Sequence, residues 1–216
     1  MIQILMYISS GLIIFSFIGY FILILIGKSR KITNDDGFNI TKDLLNHYNT
    51  INIILNKGYF TVYNIKRKVI KIANRCYYGN TLSDISISLI EASISLVHDK
   101  KNKCINFISK LIPNLKLLYI LPLISIIINS QTYNISDAKV SIVFFSLFAV
   151  VGYILIDIKG NGILLIQDHL DKVKAINRDN RSKIINFMSK ISIFDKLIFM
   201  SELIMIIRCV MIMLEM

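Results

Sequence analysis

The sequence predicts a membrane protein, mainly α-helical, with about four transmembrane helices and a small cytoplasmic α+β module between the first and second. Three observations predict it. Hydrophobic residues make up 54% of the 216-residue chain, and its mean hydropathy is +0.60. Those residues are bunched into long runs, as in membrane spans, rather than spread through a large soluble core. The basic residues behind a formal net charge of +11 collect in two stretches beside the runs.

The first run, residues 5–26, holds 22 apolar or small residues and ends at Gly27-Lys28-Ser29-Arg30-Lys31. It meets the roughly 20 residues that cross a bilayer. No basic residue precedes it and no small-residue cleavage site follows, so residues 1–27 are expected to form an uncleaved anchor. A second apolar region, 111–128, carries Lys116 near its start and Pro122 inside. A lysine there can snorkel to the interface, and a membrane helix tolerates a proline. The third, 140–156, has 17 uncharged residues between Lys139 and Asp157. Residues 111–158 are therefore expected to supply two spans, followed by a cytoplasmic helical segment at 159–190. The last segment, 191–216, contains the apolar run 193–214 with Glu202 and Arg208 inside it. A central charge costs roughly 2.5–3.5 kcal/mol on insertion scales. Two arrangements stay open for this run: a span whose charges face other helices, or an amphipathic helix lying in the interface.

Charge sets the expected orientation. Residues 27–116 hold 15 Lys or Arg and 159–190 hold seven, whereas the link 129–137 has none. The positive-inside rule places both basic stretches in the cytoplasm, with the amino terminus and the link outside. The expected partners are the lipid bilayer and another membrane protein. Nucleic acid is not expected, because no basic motif interleaved with aromatics appears. Cys76, Cys104 and Cys209 are odd in number and lack CxxC spacing, so they are read as structural thiols.

The module, within 28–110, reads as helix, two or three strands, helix. "TKDLLNHYN" follows Ile40 with Leu44, Leu45 and Tyr48 at helical spacing. "INIIL" (51–55), "YFTVYNI" (59–65) and "VIKIA" (69–73) read as strands, with a turn at "KRK" (66–68). "NRCYYGNTLSD" reads as a loop, with Ser83 or Asp84 capping the helix "LSDISISLIEASISLVHD" (82–99). Glu91 and His98 lie seven apart on that helix and so share a face. Its serines, Ser86, Ser88, Ser93 and Ser95, are read as small packing residues, because no base stands at a recognisable spacing.

This order, with its landmarks, resembles the bacterial membrane-anchored neutral zinc metallopeptidases. The likeness begins at "DDGFNITKDLLN" (35–46) and continues through "GYFTVYNIKRKVIKIANRCYYGNTLSDISI" (58–87). Gly58, Thr61, Tyr63, Lys66, Lys71, Ile72, Tyr77 and Gly79 fall at its landmarks. It implies a zincin-like module in a multi-pass protein of the bacterial plasma membrane. In that family the helix after Tyr-x-Gly carries His-Glu-x-x-His: two histidines one turn apart hold Zn²⁺, and the glutamate deprotonates its water.

Here the pentapeptide is Ile90-Glu91-Ala92-Ser93-Ile94, so the glutamate remains while both ligand positions are isoleucine. His98 matches a further histidine of the family. The third ligand, an acidic residue after the third span, aligns with Lys159 in "DIKGNG" (157–162). Hydrocarbons offer no lone pair, and an ammonium opposes a divalent cation. The resemblance therefore implies a zinc peptidase scaffold without its zinc: a vestigial general base, Glu91, and a counter-ion for it at Lys159. A scaffolding or binding role follows. Two other functions stay open: a working peptidase with divergent ligands, and a small transporter or helper subunit using Glu202 and Arg208.

Overall fold

The computed structural model describes residues 1–48, 53–99, 120–170 and 176–215. Among these, three helices are long and apolar enough to cross a membrane. They are α1 (Ile2–Lys28), α6 (Ile135–Leu170) and α7 (Arg178–Leu214). At 1.5 Å per residue, α6 and α7 each extend about 55 Å, well beyond a hydrocarbon core of roughly 30 Å. Of the expected second span, only α5 (Leu121–Gln131) is described, and 11 residues are too few to cross. Residues 111–119 of that span lie outside the described residues.

The remaining elements are α2 (Gly37–His47), β1 (Ile54–Gly58), β2 (Val62–Asn64), β3 (Val69–Ala73), α3 (Asn74–Tyr78) and α4 (Leu82–Asp99). The chain divides into two compact units. One comprises Met1–Tyr20, Lys116–Ile156 and Ile193–Met216; the other comprises Phe21–Leu115 and Asp157–Ser192. The segment expected as a separate cytoplasmic stretch, 159–190, thus belongs with the module.

In the first unit, Ile13, Ala138, Phe145, Met205, Cys209 and Ile212 form a buried cluster drawn from α1, α6 and α7. Gly19 lies against the ring of Phe194, so a side chain there would collide with it. Glu202 and Arg208 are only 3% and 2% exposed. Both charges therefore face other helices, which favours the spanning arrangement of α7 over the interfacial one.

The second unit is layered around α4. From Leu82 to Val97, every residue but Ile87 is buried. Helix α2 packs on it through Ile40, Leu44 and Leu45, at the spacing that predicted this helix. On another side lies a three-stranded sheet in the order β1-β3-β2, with β1 parallel and β2 antiparallel to β3. Central strand β3 turns Ile70 and Ile72 inward and Lys71 outward, the two-residue period of a half-buried strand. The expected turn at 66–68 is closed by Asn64, whose Oδ1 accepts from Arg67 N at 2.9 Å, and by Lys68 in the left-handed region at φ 52°. Thr81 caps α4 in place of the expected Ser83 or Asp84. Its hydroxyl donates to Asp84 Oδ2 at 2.6 Å and accepts from Asp84 N at 3.4 Å, a reciprocal cap. Asp84 also receives Arg75 Nε at 2.9 Å.

Candidate functional site

Helix α4 presents the residues that carry the metallopeptidase likeness, and most of them are inside the fold. Ile90 and Ile94 are 7% and 2% exposed. Glu91, 4% exposed, turns toward the edge strand β2, where its Oε2 accepts a hydrogen bond from Tyr63 N at 2.8 Å. An edge strand carries unpaired backbone donors, and a carboxylate is a strong acceptor for one of them.

His98 stands at the end of α4, two turns beyond Glu91, and reaches the same residue. Its Nδ1 lies 2.6 Å from the Tyr63 hydroxyl. Burial, reinforced by the nearby Lys68 and opposed by Asp99, lowers the imidazole below its ordinary value. Burial and the Asp99 carboxylate raise the Tyr63 phenol above its own. Both groups are thus neutral near pH 7, so the phenol donates, Nδ1 accepts, and the imidazole proton sits on Nε2. The pair expected from the seven-residue spacing does share a face, and what it shares is Tyr63. That residue is a landmark of the likeness, but no local pattern marks it as the partner of both.

Lys159 lies inside continuous helix α6, and only 8% of it is exposed. The sequence places a boundary there, between the third span and a cytoplasmic helical segment; α6 runs across it without a break, through Gly160 and Gly162 to Leu170. One turn beyond Lys159, Gly162 passes so close to Ser93 that a Cβ would fall 2.6 Å from its hydroxyl. Helix α6 is therefore laid against α4 where Gly162 meets Ser93. Tyr48, at the end of α2, fastens α6 further by donating to Leu165 O at 2.6 Å.

These residues do not fit a zinc site. Two of the aligned ligand positions are hydrocarbon, the third is a cation, and the glutamate oxygen is committed to a backbone donor. Among the described residues, no group of three or more His, Cys, Asp or Glu could hold a metal ion. Three of the α4 serines turn back on their own helix. Ser88 donates to Asp84 O at 3.0 Å, Ser93 to Ile90 O at 2.6 Å and Ser95 to Ala92 O at 2.7 Å. That local bonding is what small helical packing residues do, and it places none of them beside a base. Cys76 is a free, buried thiol, raised above its ordinary value chiefly by desolvation.

The charges of α7 have structural partners in the first unit. Arg208 donates from Nη1 to Asn129 O at 2.9 Å and Oδ1 at 3.0 Å, and from Nη2 to Thr132 O at 2.7 Å. It thereby closes the carboxyl end of α5, where a cation also suits the helix dipole. Asn129 passes the network on to Ser9 of α1, 2.9 Å away. Glu202 Oε1 accepts from Ser125 at 2.7 Å. The polar residues of α7 thus hold α5 and α1.

The fold and site define a helical membrane protein that carries an α+β module wrapped around one buried helix. No protein-family model matches the chain, and no curated protein or solved structure matches it.

Proposed function

We propose that the chain is a catalytically silent membrane protein built on the scaffold of the neutral zinc metallopeptidases, its module serving to bind or scaffold another membrane protein. The observation that carries this reading is the Glu91–Tyr63 bond, 2.8 Å long, on a helix where both flanking ligand positions are buried isoleucines. A general base must reach a metal-bound water. This carboxylate instead holds the edge strand. Lys159 supplies its counter-charge in this reading; what supports that pairing is that both groups are nearly buried, at 8% and 4% exposed. The charge asymmetry of the sequence supports four spans, with the module on the cytoplasmic side of a bacterial plasma membrane.

The test uses the full chain purified in detergent. Metal analysis is expected to find no stoichiometric zinc, and reconstituted protein to show no chelator-sensitive proteolysis. Stoichiometric zinc together with such proteolysis would overturn the reading.

A further inference from the structure

A cavity of about 190 Å³ opens between the end of α1 and the start of α7, entirely within the unit of Phe21–Leu115 and Asp157–Ser192. Leu23 and Ile26, one turn apart on α1, line it from one side with Arg30, two residues beyond the end of that helix. Lys183, Asn186, Phe187 and Lys190 line it from the other, again one face of one helix. Gly27 makes the arrangement fit: the Phe187 ring lies so close that a Cβ would sit 2.7 Å from it.

The lining has two chemistries. Leu23, Ile26, Leu82 and Phe187 are hydrocarbon, and the first two end the long apolar run of α1. Arg30, Lys183 and Lys190 are exposed cations, and no carboxylate is among the lining residues. An apolar wall continuous with a membrane span, topped by three cations, fits a molecule that is anionic at one end and hydrocarbon at the other. A free anion would use the cations and leave the wall unexplained. A zwitterionic lipid would bring an ammonium toward three positive groups.

We propose that this cavity binds the headgroup phosphate of an anionic phospholipid. Arg30, Lys183 and Lys190 contact the phosphate, and the first acyl carbons run along Leu23, Ile26 and Phe187. Asn186 offers an amide donor beside them. Basic pockets at the membrane edges of helices are suited to such headgroups.

Native mass spectrometry of the detergent-purified full chain tests this, titrating phosphatidylglycerol, phosphatidylcholine and inorganic phosphate in turn. Phosphatidylglycerol is expected to bind in preference to phosphatidylcholine. Its affinity is expected to fall about five-fold per cation removed, hence roughly 25-fold in a Lys183→Gln/Lys190→Gln variant. A Lys66→Gln/Arg67→Gln variant, with the same change in net charge at exposed positions of the module, is expected to bind normally. Circular dichroism melting in lipid-free detergent checks that the variants fold; Arg30→Gln, expected to lose about five-fold, substitutes if the double variant does not. Equal losses in the Lys66/Arg67 control, equal binding of phosphatidylcholine, or inorganic phosphate binding as tightly as the lipid would each overturn the proposal.

Discussion

The backbone N–H of Tyr63 donates a 2.8 Å hydrogen bond to the Glu91 carboxylate, tying the edge of the sheet to the central helix. Both groups are buried, so removing the acceptor strands a donor away from water. Loss of this bond alone is expected to cost Glu91→Ala about 1–3 kcal/mol, a cost that Glu91→Gln, which keeps an oxygen at the same position, largely escapes. Hydrogen exchange resolves the cause. The Tyr63 amide is expected to exchange faster in Glu91→Ala and to stay protected in Glu91→Gln. Unchanged protection in the alanine variant would mean that this bond does not anchor the strand.

The bond from Tyr63 to His98 makes the module sensitive to acid. Burial holds His98 below its ordinary value of 6.5, so between the two values the unfolded chain binds more protons than the folded one. Stability therefore rises with pH in that window. It is complete above the ordinary imidazole range and declines as pH falls through 6.5 toward the folded value. Protonation also removes the Nδ1 lone pair that accepts from Tyr63. Melting followed by circular dichroism is expected to show the midpoint falling from pH 7.5 to about pH 5.5, less steeply in His98→Gln. An identical slope in the variant would assign the acid sensitivity to other groups.

Two buried hydroxyls make a third case. Thr41 Oγ1 and Ser86 Oγ are buried without a hydrogen-bond partner among the described residues. A buried polar group left unpaired costs about 1–3 kcal/mol, and valine has nearly the shape of threonine. Thr41→Val is therefore expected to raise stability by about 1 kcal/mol. Ser88→Ala serves as the contrast, because it deletes the 3.0 Å bond to Asp84 O and is expected to be neutral or destabilising. Chemical unfolding of the module's secondary structure measures both. A destabilised Thr41→Val would show that the threonine hydroxyl has a favourable role.

How far the sequence foretells this molecule depends on whether a feature is local. "VIKIA" coincides with β3 because Ile70 and Ile72 alternate with Lys71 over the very residues that pair. Of "INIIL", residues 51 and 52 lie outside the described residues; β1 is Ile54–Gly58, and parallel pairing aligns Ile54 with Val69 and Gly58 with Ala73, a register no single segment encodes. "YFTVYNI" shrinks to Val62–Asn64, and Tyr59 is 92% exposed ahead of it, so β-propensity there has no sheet to join. Helix α3, five residues long, is too short for a periodic signal. Asp157 and Lys159 suggested the end of a span, yet Ile158, Ile163 and Ile166 stay buried and keep α6 helical. The shared face of Glu91 and His98 is visible in their spacing. Their common partner is not, because Tyr63 comes from a strand 28 residues before Glu91 and 35 before His98.

Lys159 offers the decisive measurement on helix α4. It is a cation only 8% exposed, on a helix that touches α4 where Gly162 meets Ser93, and Glu91 is an anion only 4% exposed on α4. Burying either charge alone is costly, whereas a buried pair can be replaced by neutral groups of similar size at little net loss. With Lys159 as the counter-charge of the Glu91 carboxylate, as proposed, Lys159→Met is expected to destabilise the protein by about 3–5 kcal/mol. Glu91→Gln alone leaves the ammonium in the same position. Combining the two removes both charges, and the double variant is expected to be more stable than Lys159→Met alone. A coupling energy of about 1–3 kcal/mol in this cycle would assign Lys159 to Glu91. Strictly additive losses would sink the pairing.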